Sequence, residues 1–417
     1  MPRPRVFYGW WVTLALAVMV FVSTGIRFTV GPFLKPIIAD LDLDRASFSL
    51  VISAGLFIYG AFMPVVGWIA DRVGTRAVTI AGTLLFAASA AATGLVGGFW
   101  QFFLVYAVSL ALGLAATGPV VATTVVSRWF VRRRATALSL LGAASMSGMS
   151  LLVPIVMWLI LAVGWRAAYG VIGAAVLVLM LPLAIWVVRD SPEAVGLAPD
   201  GGAATAPVNP TAERTEVSRA VQSLAFWQLG GALATCGFSM SLLSTHGVPM
   251  LTDHGYSAML ASWALGVLGA SSVGFSVLLG ATADRFGCRP VLAWIYGGRA
   301  LAFAGLYLVR DDPTALLVVA ALSGATMGGT FAMTSALTAT IFGRYSVGTV
   351  FGTMFLVHQT GSALGAWLGG LFFERTSGYG PAFALGGAVL VAASIVSLLI
   401  DDRPRTAAVA VPIAGAR

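Results

Sequence analysis

The feature that most constrains this chain is a succession of long apolar stretches, separated by short loops that carry most of its arginines. A helix needs roughly 20 apolar residues to cross a bilayer, and within the hydrocarbon only helices and closed barrels satisfy the backbone hydrogen bonds. The stretches have the length of helices and lack the ten-residue alternation of barrel strands. We therefore expect an all-α integral membrane protein.

The composition agrees with this expectation. Of 417 residues, 59% are hydrophobic and 10% are charged, and the mean hydropathy is +0.92, values that exclude a water-soluble globular fold. The sequence predicts twelve transmembrane helices, near Tyr8 to Phe33, Phe48 to Ala70, Val78 to Val96, Trp100 to Val126, Ala135 to Val163, Ala167 to Val188, Phe226 to Val248, Ala258 to Ala283, Val291 to Val309, Ala315 to Ile341, Val347 to Phe372 and Pro381 to Ile400.

The basic residues predict the orientation of these helices. With both termini in the cytoplasm, seventeen of the 24 lysines and arginines fall on the cytoplasmic side, five fall outside and two lie within spans. This is the positive-inside pattern of a multi-pass protein of the cytoplasmic membrane. The same pattern accounts for the net charge of +8, so we expect the lipid bilayer and no nucleic acid as a partner. A monomer is sufficient for such a fold.

One segment has the composition of a linker. Residues 189–220 are rich in proline, glycine, threonine and charge, and they divide the spans six and six. We therefore expect two pseudo-symmetric six-helix bundles, at residues 1–188 and 221–400, followed by a cytoplasmic tail at 401–417.

An internal repeat supports a duplicated architecture. The segment that begins at Gly67 recurs at Gly280, 213 residues later, each time in the short loop after the second helix of a half. Its charges can pair across the contact between the halves and form a cytoplasmic gate. Alternatively, they only mark a cytoplasmic turn. The candidate gate residues are Asp71, Arg72, Arg76, Asp284, Arg285 and Arg289.

This repeated motif, the twelve spans and the central loop resemble the major facilitator superfamily. Tyr8 to Trp11 and Gly25 to Phe33 in the first helix, with Ser127 to Phe130 after the fourth, are similar to the monocarboxylate transporter and oxalate:formate antiporter group. The resemblance implies two bundles around a central cavity, lined by helices one, two, four, five, seven, eight, ten and eleven. The chain departs from the group in helix eight, where Ser276 aligns with an arginine.

Two ionisable side chains within spans are the main candidates for a binding site, because charge at bilayer depth costs roughly 2.5 to 3.5 kcal/mol for arginine. Arg27 faces either the cavity or the outer interface; the resemblance implies a basic residue within about one position of it. His358 is either a hydrogen-bonded core histidine or, as the resemblance implies, the counterpart of a substrate-binding lysine. Gln359, Tyr59 and Tyr106 are candidate neutral donors beside them.

Arg299 is a secondary candidate. It lies near the middle of helix nine, which the resemblance places at the periphery, so a contact with other helices is the leading interpretation. No acidic residue lies deep within a span, and arginines without carboxylates favour an anionic ligand.

These features predict a secondary active transporter of a small organic anion, a monocarboxylate, working by alternating access with proton symport. An oxalate and formate type of exchanger, an exporter of a hydrophobic organic anion or drug, and a transport-inactive receptor are the alternatives. The only lysine, Lys35, precedes proline and belongs to no nucleotide-binding motif. The three histidines are scattered, so we expect no enzyme, no metal and no cofactor.

Overall fold

The computed structural model describes residues 7–130, 132–200, 215–343 and 347–403. All regular elements in this part of the chain are helices. By length and composition, eight of these described segments are able to cross a membrane. The predicted linker and tail lie partly outside the described residues, at 201–214 and 404–417.

The first half contains six helices, two of which form one continuous segment. This segment, Arg134–Pro182 with a π-helical extension, is divided by a kink at Gly164 (φ 80°) into α5 (134–163) and α6 (165–187). The fourth helix contains a π-helical stretch and a break before Pro119. The others are α1 (Tyr8–Phe28), continued by Val30–Leu41, α2 (Arg45–Val73), α3 (Thr75–Thr93) and α4 (Phe99–Trp129).

The second half repeats this order. Its fourth helix, α10, is interrupted, because the pieces Pro313–Gly324 and Thr330–Phe342 are separated by a turn that ends in Gly329 (φ 82°). A positive φ is accessible to glycine at little cost. The other helices are α7 (Leu224–Asp253), α8 (Ala258–Phe286), α9 (Cys288–Leu308), α11 (Val347–Thr376) and α12 (Gly380–Leu398).

The eight apolar segments and the twelve helices are compatible. One of the eight segments contains both α5 and α6. The helix α10 is not among the eight, because its interruption leaves two shorter pieces. The helices α7 and α11 are long enough but carry many serines, threonines and glycines, and each contains a histidine. The predicted all-α membrane fold is confirmed.

The described hydrophobic residues form two clusters, one mainly of α1 to α6 and one mainly of α7 to α12. Close contacts between helix backbones join elements within and between these clusters. A Cβ atom on Gly25 of α1 would lie 2.8 Å from the carbonyl oxygen of Gly148 in α5, and one on Gly266 of α8 would lie 2.7 Å from that of Ser150. Small residues at these points let the helices approach closely.

Candidate functional site

A cavity of about 1090 Å³ lies between the two halves. Residues of α1, α2, α4, α5, α7, α8, α10 and α11 line it, which are the helices that the resemblance implied. At one end the lining includes Gly280, the first residue of the second copy of the repeated motif, and Thr136, in the first turn of α5; we call this the motif end. At the other end the lining stops near Val30 and Thr245.

Arg27, in the last turn of α1, lines this cavity. Its guanidinium carbon lies 5.3 Å from the centre of the Tyr59 ring and 5.3 Å from that of Phe28. The aromatic faces attract a cation and fix its position. No acidic side chain in the described part of the chain forms an ion pair with Arg27. The cavity therefore contains a positive charge that is free to bind an anion.

Tyr59 and Tyr106 also line the cavity, on α2 and α4. Both are near enough to Arg27 to interact with its charge. The residues Arg27, Tyr59 and Tyr106, which the sequence analysis named as candidates for one site, thus all line the wall formed by the first half.

His358 lies on the opposite wall, in α11, and its side chain is only 3% exposed. Its ring is stacked on Phe355, with centroids 5.2 Å apart and an angle of 17° between the planes. Nδ1 lies 2.8 Å from Oε1 of Gln359, whereas Nε2 has no hydrogen-bond partner among the described residues. One nitrogen of this ring is therefore free to bind a ligand.

Gln359 does not line the cavity. It is fully buried between α11 and α2, where its amide nitrogen donates to the carbonyl oxygen of Leu56 at 3.4 Å. Its role in this structure is to orient His358 and to join the two halves.

Arg299 does not line the cavity either. It is 0% exposed and donates to the backbone oxygens of Thr326 (3.0 Å from Nε) and Met327 (3.3 Å), and to Oγ1 of Thr330 (3.1 Å). These acceptors belong to the interruption of α10. Because Met327 lines the cavity, Arg299 supports the cavity wall from behind, in agreement with the interpretation of helix contact.

Two further cavity residues were not predicted. The hydroxyl oxygens of Ser241 and Thr245, one turn apart on α7, have no hydrogen-bond partner among the described residues, although both side chains line the cavity. Ser276 also lines it, and its hydroxyl donates to the carbonyl oxygen of Ser272 at 2.6 Å. Serine and threonine occur throughout these helices, so the sequence alone gave no signal that selected these positions.

The repeated motif forms equivalent contacts within each half. Arg76 donates to the carbonyl oxygen of Ile185 at the end of α6, and Arg289 donates to that of Leu398 at the end of α12. A carboxylate accompanies each contact, Asp190 in the first half and Asp402 in the second. Arg76 and Arg289 thus each join the third and sixth helices of their own half.

Of the other candidate gate residues, two form local contacts and two have side chains outside the described part of the structure. The guanidinium of Arg72 lies 4.0 Å from the ring centre of Trp68, and that of Arg285 lies 5.3 Å from that of Phe286. The side chains of Asp71 and Asp284 are outside the described part. That these residues form a gate between the halves at the motif end stays a prediction. It concerns a conformation other than the one described here.

Ion pairs between the halves occur instead at the end opposite to the motif. Asp253 of α7 accepts from Lys35 at 2.6 Å and from Arg45 at 2.7 Å. Arg45 also donates to the hydroxyl of Tyr379 at 2.6 Å, and its backbone nitrogen donates to Glu374 at 2.9 Å. We call these five residues the ion-pair contact. It joins the halves beyond Val30 and Thr245, where the lining of the cavity stops.

The described residues contain no group of three or more histidine, cysteine or acidic side chains arranged to hold a metal ion. The chemistry available in the cavity is therefore that of one free guanidinium, one free imidazole nitrogen and several hydroxyls. Such groups bind and orient a ligand.

Comparisons with known proteins agree with this architecture. The family model described as Major Facilitator Superfamily matches residues 16–312 and, in an overlapping second match, 229–415. A solved bacterial homolog of the human lysosomal transporter Spinster, in an inward-facing and unoccupied conformation, has a TM-score of 0.69 with 18% identity, over 96% of each chain. At this identity the structural similarity concerns the fold.

Relatives in sequence are also transporters. The uncharacterized MFS-type transporter YcxA of Bacillus subtilis (strain 168) is 24% identical over 385 residues, 89% of this chain and 90% of its own. Monocarboxylate transporter 13 of Bos taurus is 25% identical over 94% of this chain and 89% of its own. The oxalate:formate antiporter of Oxalobacter formigenes is 21% identical, over 86% and 84%.

The resemblance inferred from the motifs is thereby confirmed. The family model spans far more than half of the sequence, and the relatives named above are all transporters, not enzymes. The chain belongs to the major facilitator superfamily and is a multi-pass membrane transporter.

Proposed function

We propose that this transporter moves a small organic anion, a monocarboxylate, across the cytoplasmic membrane by alternating access. The observation that carries the proposal is Arg27, a guanidinium on the cavity wall that has no acidic partner among the described residues. A carboxylate beside it would gain charge-assisted hydrogen bonds in a largely apolar cavity. Tyr59 and Tyr106 would assist as neutral donors.

The charge of the cavity favours one carboxylate over two. Among the described lining residues, Arg27 is the single arginine or lysine, and Ser276 occupies the helix-eight position of a second arginine in the resembling group. A dianion such as oxalate would leave one negative charge uncompensated in a site of low dielectric. Exchange of oxalate for formate is therefore the weaker alternative, although one relative has that name.

The closed and open ends support alternating access. The ion-pair contact closes one end, and the cavity extends toward the loops of the motif, which the positive-inside pattern assigns to the cytoplasm. This arrangement fits an inward-facing state. Proton symport is part of the proposal, with the proton on the substrate or on the free nitrogen of His358.

The size of the cavity favours a second candidate. A volume of about 1090 Å³, with Phe28, Met240, Phe331 and Phe355 on its walls, exceeds what a three-carbon acid fills. Export of a larger hydrophobic organic anion would also use Arg27. A transport-inactive receptor would bind such an anion without moving it.

The test is uptake of labelled lactate, pyruvate, acetate, oxalate and formate into proteoliposomes, with and without an inward proton gradient. We expect gradient-stimulated uptake of monocarboxylates. Substituting Arg27→Gln should lower uptake about tenfold or more, because a hydrogen bond to a charged group contributes about 1.5 to 3 kcal/mol. Arg310→Gln, which removes an exposed arginine outside the cavity, is the matched control.

Three outcomes would contradict the proposal. Normal uptake by folded Arg27→Gln protein would remove Arg27 from the site. Efflux of hydrophobic anions without uptake of short acids would favour the exporter. Binding of acids without movement in either direction would favour the receptor.

A further inference from the structure

Two hydroxyls of α7 face the cavity without a hydrogen-bond partner among the described residues. They are Oγ of Ser241 and Oγ1 of Thr245, whose side chains line the cavity although they are only 5% and 1% exposed. Burying a polar atom without a partner costs free energy. Ser244 on the same wall avoids this cost, because its hydroxyl donates to the carbonyl oxygen of Ser241 at 3.2 Å. The hydroxyls of Ser241 and Thr245 are therefore available to a ligand.

The helices α1 and α7 run in the same direction through the molecule. At the start of α1, the hydroxyl of Tyr8 donates to the carbonyl oxygen of Val187, at the end of α6. Near the start of α7, the amide nitrogen of Gln228 donates to that of Leu399, just after α12. The arginines of the repeated motif bond to the same two helix ends, so α1 and α7 both begin at the motif end. Positions that advance together along α1 and α7 therefore stay at similar depths in the cavity.

A close contact between α7 and the continuation of α1 fixes these depths. A Cβ atom on Gly31 would lie 2.7 Å from the carbonyl oxygen of Ser244 and 3.4 Å from that of Thr245. Arg27 precedes Gly31 by four residues, and Ser241 precedes Thr245 by four residues. Because four residues make about one helical turn, Arg27 and Ser241 lie at similar depths, one turn before the contact.

A second contact leads to the same depth. Phe28, which follows Arg27 directly, lines a separate small cavity together with Met240 and Leu243 of α7. Met240 directly precedes Ser241, and Leu243 follows it by two residues. The guanidinium of Arg27 and the hydroxyl of Ser241 therefore belong to the same level of the large cavity, on the walls of opposite halves.

His358 belongs to another level. A Cβ atom on Gly361 of α11 would come into steric conflict with the carbonyl oxygen of Ala234 in α7. His358 lies about one turn before Gly361, and Ala234 lies seven residues before Ser241, which is about 10 Å along a helix. The imidazole is therefore nearer to the motif end than the two hydroxyls, and it is left for another part of the ligand or for a proton.

A carboxylate can use the guanidinium and the two hydroxyls at once. It has two oxygens with about four lone pairs, so a guanidinium leaves room for further donors. Hydrogen bonds to a charged acceptor are about twice as strong as those between neutral groups. Side chains one turn apart have Cβ atoms about 5 to 6 Å from each other, so Ser241 and Thr245 can each reach one oxygen of the same carboxylate.

We propose that Ser241 and Thr245 bind the carboxylate of the transported anion together with Arg27, so that both halves hold this one group. The inference rests on the proposed function, since it completes the site of the same carboxylate. Its new content is the contribution of the second half, two neutral donors on α7 opposite to the arginine of α1.

The experiment measures binding of four acids to the detergent-purified full chain near neutral pH. Propionate, lactate, benzoate and phenylacetate are titrated, and the affinities come from the ligand-dependent shift of the unfolding temperature. Ser241→Ala combined with Thr245→Val should weaken the binding of every acid that the parent protein binds by about tenfold or more, because hydrogen bonds to a charged group are lost. The factor should be similar for all these acids, since the carboxylate is the group that they share.

The stability of the ligand-free protein gives a second readout. The double substitution removes two buried hydroxyls without described partners, so the unfolding temperature without ligand should stay the same or rise. The combination of Ser262→Ala and Thr334→Val is the matched control. Both hydroxyls are fully buried and also lack described partners, but they do not line the cavity. The control should leave every affinity unchanged.

The outcomes separate this inference from the proposed function. Undiminished binding of acids by the folded double variant would overturn the inference and leave the proposed function intact. A loss confined to lactate would also overturn it, because the hydroxyls would then bind the second polar group of that acid. So would a lower unfolding temperature of the ligand-free double variant that the control does not share, since the hydroxyls would then serve the packing of the protein. No binding of any of the four acids to the folded parent protein would overturn both proposals.

Discussion

The two arginines that lie within the predicted spans have different surroundings in the structure, and we assign them different roles. Arg27 ends its helix on the cavity wall beside aromatic rings, whereas Arg299 is enclosed by backbone oxygens, hydroxyls and a thiol. The sequence identified both as unusual, because charge at bilayer depth is costly in either place. For Arg299 it favoured contact with other helices, because the resemblance places helix nine at the periphery. It could not predict the contacts themselves, which depend on the interruption of α10.

We predict that Arg299→Met destabilises the protein. The change leaves the oxygens of Thr326 and Met327 without a buried donor, and each unsatisfied acceptor costs about 1 to 3 kcal/mol. The unfolding temperature in detergent should therefore fall by several degrees. The unfolding temperature of Arg299→Lys should lie between those of the parent protein and of Arg299→Met, because an ammonium cannot reproduce the planar set of donors of a guanidinium. An unchanged unfolding temperature for Arg299→Met would contradict a structural role.

At the scale of elements, the packing of α7 on α11 depends on glycines. A Cβ atom on Gly361 would lie in steric conflict with the carbonyl oxygen of Ala234, and one on Gly365 with that of Phe238. Because the conflicting atoms belong to the backbone, they can move only if the helices separate. The walls that hold Ser241 and His358 are therefore positioned by this contact.

Gly361→Ala should lower the free energy of unfolding by about 1 to 3 kcal/mol, which is typical of overpacking. Gly352→Ala on the same helix is the control, since a Cβ atom there would have nothing within 4 Å. Alanine favours a helix over glycine, so this variant should be neutral or slightly more stable. Thermal unfolding of both variants in detergent tests the prediction. Equal effects would show that the contact does not limit stability.

The helices themselves were largely predictable from sequence, but their irregularities were not. Twelve hydrophobic segments and the loops that hold Gly74 and Gly287 follow from periodicity, turn residues and the position of the motif. The π-helical stretch in α4 and the gap between Gly324 and Thr330 in α10 depend on neighbouring helices. Residues of both irregular segments face the cavity. Departures from regular helical structure are expected at functional sites.

At the scale of the whole molecule, the duplicated motif and the ion-pair contact lie at opposite ends. The sequence located the motif through its repeat, and the equivalent bonds of Arg76 and Arg289 agree with a duplication. It did not locate the ion-pair contact, because Arg45 and Asp253 are 208 residues apart and neither is repeated. Only the arrangement of the two halves brings these charges together.

We predict that Asp253→Asn weakens the closed end. The substitution removes the partner of both Lys35 and Arg45, so the equilibrium should shift toward states in which this end is open. Spin labels at Leu95→Cys, in the loop after α3, and at Thr314→Cys, in the first turn of α10, measure the opening in a Cys288→Ser background. The population at longer distances should increase.

Asp40→Asn is the control for this measurement. Asp40 accepts from Arg166 at 2.8 Å within the first half, so its loss removes an ion pair at the same end without touching the contact between the halves. The distance distribution should stay that of the parent protein. A similar shift in both variants would mean that general loosening, and not the ion-pair contact, controls the opening.

The same labels test how the ion-pair contact depends on pH. Burial alone would raise the pKa of Asp253, which lies beyond the predicted span, but the hydrogen bonds and charges of Arg45 and Lys35 outweigh burial and lower it below its ordinary 3.8. A carboxylate with a lowered pKa contributes its full stabilisation above the ordinary value and loses it only as the pH falls through the lowered one. The distance distribution should therefore be constant between pH 5 and pH 8 in the parent protein, so that any dependence of transport on pH in this range must arise at another group. A shift toward longer distances between pH 7 and pH 5 would show that Asp253 does not control the closed end alone.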